Sequence, residues 1–189
     1  MDDDWRETAR VLRLVHNHPA PGLPTVALVM NKWDIISDLR ERLDHPWIRD
    51  RRLEVEHYLN RLEAVTEEAL RHPSEPMLLH NDFGGSNLLL DDAGVVSAIL
   101  DWDHACIGPR EHDLRGAFLH SDPPAFLRAY GAKNLNRVHL EHALLRRATE
   151  DLTARVVEET DREGVVPWGF DRWHRLDADL ESALPFLTR

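Results

Sequence analysis

A formal net charge of −11 over 189 residues argues against a surface that binds nucleic acid or an anionic membrane. The hydrophobic content of 42% and the charged content of 30% are those of one soluble globular domain, and no apolar run is long enough to span a bilayer. The single cysteine, Cys106, excludes an internal disulfide, and the acidic N-terminus is unlike a signal peptide, so we expect a cytoplasmic protein.

The first third of the chain predicts helices separated by proline-rich and apolar segments. Residues 5–18 carry apolar side chains at helical spacing. Residues 31–34 read Asn-Lys-Trp-Asp after a short apolar run, which is how GTPases present their guanine-reading residues. Because no glycine in the chain precedes a lysine, a phosphate loop is missing, and we interpret this segment as a loop entering a helix at 33–43. The clearest helix is predicted at 51–71.

The stretch from Leu78 to Leu114 holds the densest set of reactive side chains. It begins with the pattern His-x-Asp-x-x-x-x-Asn, formed by His80, Asp82 and Asn87. Two apolar runs follow on either side of an Asp-Asp-Ala-Gly turn, and the second run ends at Asp101. This arrangement predicts a loop, a β-hairpin and an acid at the end of the second strand. Since both strands are apolar on both faces, we expect the hairpin to be buried.

The last third of the chain is predicted to be helical. Asp122 and the two prolines after it form a helix start, and Gly131 forms the corresponding stop. His139 and His142 lie three residues apart, but no other ligands cluster near them, so surface or core positions are favoured over a metal site. The helices are predicted at residues 111–119, 125–130, 136–162 and 170–184.

The side chains of the central stretch suit phosphoryl transfer, which needs a bound metal, an oriented nucleophile and charge neutralisation. A loop carboxylate, Asp82, can accept the proton of an attacking hydroxyl. The amide oxygen of Asn87 can bind Mg²⁺, and the hairpin can return a second carboxylate, Asp101, to complete the site.

The sequence HNDFGGSN, followed by AILDWD, resembles the catalytic core of the aminoglycoside phosphotransferase family, whose members have a protein-kinase-like fold. Gly108-Pro109 and Asp113-Leu114 are the nearest equivalents of a further motif of this family. The resemblance implies an α+β, mainly α-helical fold: a kinase-like C-terminal lobe with a central β-hairpin, in one domain over residues 1–189.

The same resemblance implies a role for each motif residue. Asp82 would be the catalytic base, and Asn87 and Asp101 would be the magnesium ligands. His80 would brace the catalytic loop from a buried position, and Asp113 would bind the loop backbone. The role of Asp103 is left open: it could support the metal ligands from behind, face the substrate, or simply be solvated. The implied cofactors are Mg²⁺ and ATP as co-substrate, with GTP left open.

The residues that bind the nucleotide phosphates in kinase-like enzymes are not evident in the sequence. No glycine-rich loop precedes Asp82, and Lys32 is the only lysine before it. We therefore expect the chain to correspond to the helical lobe without an N-terminal nucleotide lobe, and to be weakly active or inactive alone. We also expect self-association or a partner that supplies the missing lobe, because the apolar face left uncovered would favour contact.

Two function classes follow from these observations. The first is an ATP-dependent phosphotransferase, or its catalytic lobe, that phosphorylates a hydroxyl of an aminoglycoside or another small molecule. The acidic balance mildly favours a cationic substrate. The second is a non-catalytic module on the same fold that binds a ligand or a partner. The presence of Asp82, Asn87 and Asp101 favours the first class. The absence of an evident glycine-rich loop and N-terminal nucleotide lobe favours the second.

Overall fold

The computed structural model describes residues 5–19, 22–25, 34–72, 74–119, 122–158 and 165–188. The Asn-Lys-Trp segment with its GTPase-like pattern and Lys32 lie outside these residues. The helices are α1 (Trp5–His16), α2 (Ile35–Arg40), α3 (Arg52–Arg71), α4 (Glu111–Leu114), α5 (Pro123–Tyr130), α6 (Arg137–Glu158) and α7 (Val165–Ala183). The strands are β1 (Met77–Leu79), β2 (Leu88–Leu90), β3 (Val96–Ile99) and β4 (Cys106–Gly108). The predicted mainly helical α+β fold is confirmed.

The core is a stack of helices around α6. This helix packs against α2, α3, α4 and α7, while α1 packs against α5 and β1. Large side chains with almost no exposed surface, such as Phe118, Phe126 and Trp173, fill the space between them. Helix α7 already includes Val165, five residues before its predicted start, while residues 159–162 of the helix predicted at 136–162 lie outside the described residues.

Local capping signals set the ends of α5, which starts at Pro123, two residues before the predicted start, and ends at Tyr130 as predicted. The Asp122 side chain accepts a hydrogen bond from the backbone N–H of Ala125, with prolines in the first turn. Gly131 follows the helix with φ +83°, in the left-handed region that glycine adopts without strain. The segment predicted as one helix at 111–119 is instead one α-helical turn followed by a 3₁₀ segment, Arg115–Leu119.

Two antiparallel strand pairs frame the central stretch. The predicted hairpin is formed by β2 and β3, with Leu88 opposite Ile99. Its turn is closed by the Asp91 side chain, which accepts hydrogen bonds from the backbone N–H groups of Ala93 and Val95. The second pair joins β1 to β4, with Leu78 opposite Ile107, and the sequence did not predict it.

The hairpin is not buried, which corrects the expectation from its sequence. Leu88, Val96 and Ile99 pack on the core, but Leu89 and Leu90 are 48% and 58% exposed. Among the described residues, the main helix contact of the strand pair is that of α1 with β3, which leaves the end of β2 uncovered. Across all the residues that the structure describes, no helix is long and apolar enough to cross a membrane.

Candidate active site

The loop that follows β1 is anchored by the carboxylate of Asp113. This side chain has no exposed surface and lies on α4. Its Oδ2 accepts the backbone N–H of His80 at 2.8 Å, and its Oδ1 accepts that of Asn81 at 2.7 Å. Each oxygen therefore satisfies one backbone donor of the loop, and hydrogen bonds to a buried carboxylate are among the stronger ones in proteins.

A third donor reaches Asp113 from the N-terminal helix. Nε2 of His16, on α1, lies 3.1 Å from Oδ2 of Asp113, and Nδ1 of the same ring lies 2.6 Å from the hydroxyl oxygen of Tyr130. Both residues are buried. One chain of polar contacts thus ties α1 and α5 to the loop through Asp113.

The loop backbone turns sharply at Asn81. Its φ is +64°, a left-handed conformation that costs a non-glycine residue on the order of 1 kcal/mol. Asn81 is held on both sides, since its N–H is bound by Asp113 and its carbonyl oxygen accepts a 2.7 Å hydrogen bond from the guanidinium of Arg115. Gly116 fits closely beneath the loop, because a Cβ there would lie 3.2 Å from the carbonyl oxygen of Phe83.

His80 connects the loop to the end of the hairpin. The residue is fully buried, and its Nε2 donates a 2.8 Å hydrogen bond to the carbonyl oxygen of Leu100. Its ring lies 4.8 Å from that of Trp102 and 5.9 Å from that of Phe83. Nδ1 of His80 is buried without a hydrogen-bond partner among the described residues.

Leu100 is held from the other side by Asn87, whose carbonyl oxygen accepts its N–H at 2.8 Å. Both backbone groups of Leu100 are therefore bound to residues of the loop, and Asp101 follows directly. Asp101 has φ +60° and ψ +63°, a second non-glycine residue in the left-handed region. These anchors fix the backbone position of Asp101 relative to the loop despite its strain.

The side chains of Asp82 and Asn87 contact each other. The amide nitrogen of Asn87 donates to the carbonyl oxygen of Asp82 at 2.8 Å and to its Oδ2 at 3.2 Å. Because these are both acceptors, the nitrogen must face them, and Oδ1 of Asn87 is turned elsewhere. The Asp82 side chain is 41% exposed, and its Oδ1 lies 3.6 Å from Nη1 of Arg147.

The hairpin end carries exposed oxygen donors. Asp101 and Asp103 are both exposed, on either side of Trp102, whose indole N–H binds the carbonyl oxygen of Ile99. Among the described residues, no group of three or more His, Cys, Asp and Glu side chains is arranged to hold a metal ion. An amide oxygen with one or two carboxylates nonetheless fits the hard-oxygen preference of Mg²⁺, which needs few protein ligands.

The two histidines of α6 contact residues outside the motif. Nε2 of His139 donates a 2.6 Å hydrogen bond to the carbonyl oxygen of His72, and the His142 ring lies 5.3 Å from that of His112. Both are buried. Burial lowers the pKa of His142 to about 3, so the ring is neutral at physiological pH.

A cleft of about 230 Å³ opens beside Asp82 and is lined by Gly84, Arg115, Arg147 and Arg172, among others. Asn87 and Asp101 do not line it. Asp82 therefore lies between this cleft and the oxygen donors of the hairpin end. The sequence interpretation missed the three arginines and His16. Arg147, Arg172 and His16 lie on elements far from the motif in the chain, whereas Arg115 directly follows the Asp113-Leu114 pair and was signalled by that position.

A family model described as the phosphotransferase enzyme family, APH, matches residues 2–145. No curated protein sequence matches the chain.

Solved structures share the fold at low sequence identity. Spectinomycin phosphotransferase APH(9)-Ia, solved with ADP and spectinomycin, is 16% identical with a TM-score of 0.61; the match covers 97% of this chain and 65% of that one. A thermostable mutant of aminoglycoside phosphotransferase APH(4)-Ia is 18% identical with a TM-score of 0.65, covering 95% and 64%. A choline/ethanolamine kinase family protein from Mesorhizobium loti is 17% identical with a TM-score of 0.61, covering 95% and 63%. The chain thus spans somewhat less than two thirds of the length of these proteins.

Proposed function

This chain belongs to the phosphotransferase enzyme family, as the resemblance in its sequence indicated, and from that premise we propose that it is the helical, catalytic lobe of an ATP-dependent small-molecule phosphotransferase. The reaction would move the γ-phosphoryl group of ATP to a hydroxyl of the acceptor. We further propose that residues 1–189 act as one domain in this role. Spectinomycin phosphotransferase was solved with ADP and with AMP, which supports an adenine nucleotide as the donor.

The observation that carries this proposal is the double anchoring of Leu100. Asn87 binds its N–H and His80 binds its carbonyl oxygen, each at 2.8 Å. The acid that follows, Asp101, is thereby tied to the loop that carries Asp82. Phosphoryl transfer depends mainly on positioning and electrostatics, so a scaffold that fixes a base and metal ligands relative to each other is what the reaction requires.

Asp82 is proposed as the catalytic base. As the acceptor hydroxyl attacks the γ-phosphorus, its proton passes to the Asp82 carboxylate. The bond between the γ-phosphorus and the bridging oxygen breaks, and ADP leaves with the electron pair. Asp82 then returns its proton to solvent. The hydrogen bond from Asn87 to Oδ2 holds the carboxylate, while its partial exposure beside the cleft leaves room for an acceptor.

Asn87 and Asp101 are proposed to hold Mg²⁺ through Oδ1 and the carboxylate. When bound, this ion would neutralise charge on the nucleotide phosphates. His80 and Asp113 are proposed to support the loop through the contacts described above. Asp103 is exposed on the same turn, and we propose that it faces the nucleotide or acceptor side rather than the core.

A Mg²⁺–ADP titration by calorimetry tests the proposal on wild type, Asp101→Ala and a matched surface variant, Asp92→Ala. We expect wild type and Asp92→Ala to bind alike, and Asp101→Ala to bind at least about tenfold more weakly, since one charged ligand is worth roughly 1.4 kcal/mol or more. Chelation of Mg²⁺ should remove the difference. Equal and negligible binding in all three proteins would favour the non-catalytic module instead.

Turnover is measured separately as ADP release with a panel of small alcohols. Asp82→Asn should lower the rate by about 10²–10⁴-fold, the usual contribution of a general base. Nucleotide affinity should change little in this variant, because Asn keeps the contact with the Asn87 amide. An Asp82→Asn rate equal to that of a measurably active wild type would exclude Asp82 as the base.

A further inference from the structure

Three arginines from three separate elements converge on the cleft beside Asp82. Arg115 follows α4, Arg147 lies on α6 and Arg172 lies on α7, and all three line the same space of about 230 Å³. This volume is below the roughly 300–1,000 Å³ of sites for drug-sized ligands. The cleft is therefore small and rich in guanidinium groups.

The two acids of the lining do not balance these arginines, although Asp151 and Asp179 act on Arg147 and Arg172 from outside it. Asp113 is one of the two, and its oxygens are already occupied by three donors from His16, His80 and Asn81. The other is Asp82, the proposed base. His112 adds no charge, because burial lowers its pKa well below the usual value and keeps the ring neutral.

The contacts of two of the arginines leave capacity for an anion. Arg115 donates one hydrogen bond, to the carbonyl oxygen of Asn81, while its Nη1 is buried without a partner among the described residues. Arg147 lies 3.6 Å from Asp82 and 3.3 Å from Asp151, at or beyond the long end of hydrogen-bond distances. Each guanidinium can make five hydrogen bonds in a planar fork.

Burial acts against the charge of these groups. It lowers the pKa of Arg115. The charge of Glu150 opposes this effect, as do those of Asp113 and Asp82, while the nearby charge of Arg147 adds to it. Burial also lowers the pKa of Arg172. An anion placed among the three would offset this repulsion and desolvation, and guanidinium groups match carboxylate and phosphate oxygens in geometry.

We infer that the acceptor of this enzyme is a small hydroxyl compound that also carries a carboxylate or phosphate group, which the arginines of the cleft bind while Asp82 faces the hydroxyl. This inference rests on the proposed function and names its substrate class. It runs opposite to the cationic substrate that the net charge of −11 suggests. Net charge is an average over the surface, whereas the acceptor meets only the cleft.

The same arginines would also suit the γ-phosphoryl group during its transfer. The experiment must therefore distinguish binding of the acceptor's anionic group from binding of the transferred phosphoryl group. We propose calorimetric titration of wild-type protein with glycerol 3-phosphate, glycerate, glycerol and choline, which differ in charge but all carry a hydroxyl. Each titration is repeated with Mg²⁺ and the non-hydrolysable β,γ-imido analogue of ATP present. No turnover is needed, so this binding is measured even if phosphoryl transfer fails.

We expect at least one anionic probe to bind about tenfold or more tightly than glycerol and choline, and to keep binding with the ATP analogue present. A response to glycerol 3-phosphate alone assigns a phosphate-bearing acceptor, and a response to glycerate assigns a carboxylate-bearing one. Arg147→Gln should weaken the anionic probe about 5- to 10-fold, and Arg147→Lys should weaken it less. Arg71→Gln, which removes the same charge from an exposed position on α3, should change nothing.

Three results would overturn the inference. The first is anionic probes binding no more tightly than glycerol. The second is equal affinities in Arg147→Gln and Arg71→Gln, with circular dichroism showing that both are folded. The third is loss of probe binding when the ATP analogue is present, which would assign the arginines to the transferred phosphate.

Discussion

Replacement of Asp113 by asparagine tests the scaffold of the loop that carries Asp82 with the smallest change of shape. In the wild type, Oδ2 accepts from His80 and His16, and Oδ1 accepts from Asn81. An asparagine has one oxygen and one NH₂ group. In either orientation, the NH₂ group must face at least one of these N–H donors, and that donor loses its acceptor in a site without exposed surface.

The magnitude follows from the bonds lost. A hydrogen bond to a charged group contributes about 1.5–3 kcal/mol, and a buried donor left unsatisfied costs about 1–3 kcal/mol. These terms overlap, so we expect a loss of about 2–4 kcal/mol in the free energy of unfolding. For a domain of this size, that corresponds to a fall in Tm of roughly 5–15 °C.

Two assays measure this effect, one global and one local. Thermal melting monitored by circular dichroism gives the Tm of Asp113→Asn and of the control Asp92→Asn, which makes the same chemical change at an exposed turn position. Hydrogen exchange gives the local effect. The amides of His80 and Asn81 should exchange about 10- to 100-fold faster in Asp113→Asn, since each 1.4 kcal/mol is a factor of ten.

The pattern of results separates a loop anchor from a general contribution to the core. A Tm within about 1 °C of wild type, together with unchanged exchange of the two amides, would refute the reasoning. Faster exchange throughout the chain, with no excess at His80 and Asn81, would show that Asp113 stabilises the core and not the loop in particular.

Three further predictions concern the helices around the site. His142 has a pKa lowered to about 3 by burial against about 6.5 when unfolded, so the unfolded chain binds more protons below pH 6.5 and stability is lost as pH falls. Between pH 6.5 and 5 this residue should account for a loss of about 2 kcal/mol. His142→Leu should reduce the acid loss by about that amount in urea unfolding at both pH values, and the part due to buried His112, whose pKa is also lowered, should remain. An equal acid loss in wild type and variant would contradict this. Asp122→Ala should cost about 1 kcal/mol through the lost helix cap, with Asp122→Asn close to wild type in the same urea assay. Gly131→Ala should cost about 1 kcal/mol, because φ is +83° and the new Cβ would lie 3.3 Å from Nη1 of Arg13; a Tm equal to that of wild type would argue against strain there.

The features predicted from sequence are those encoded by neighbouring residues. Asp122 and Gly131 specify the two ends of α5 through contacts within a few positions. The turn at Asp91 likewise encodes the β2–β3 hairpin, because its side chain caps the turn it begins. The motif of His80, Asp82 and Asn87 was recognisable for the same reason, since its spacing is local.

The features that sequence could not supply depend on contacts between distant positions. His16 meets Asp113 across 97 residues, and no periodicity signals that pairing. The exposure of Leu89 and Leu90 depends on which elements cover the hairpin, whereas an apolar run indicates only that a strand can be buried. The arginines of the cleft belong to helices whose exposed and buried faces look ordinary in sequence, because charge at a helix surface is common.

The hydrogen bonds and exposure of the motif carboxylates indicate which of them can bind a ligand, independently of the family resemblance. Asp113 has no exposed surface and three donors on its two oxygens, so it has little capacity for a ligand. Asp82 is 41% exposed with one oxygen 3.6 Å from a guanidinium, and Asp101 is exposed on a strained backbone that its neighbours hold in place. Burying a carboxylate is costly unless the fold satisfies it, whereas an exposed, positioned carboxylate retains its capacity to bind. The hydrogen bonds of Asp113 are therefore used within the fold, whereas Asp82 and Asp101 remain available to bind a ligand. The proposed phosphoryl transfer would require both kinds of carboxylate.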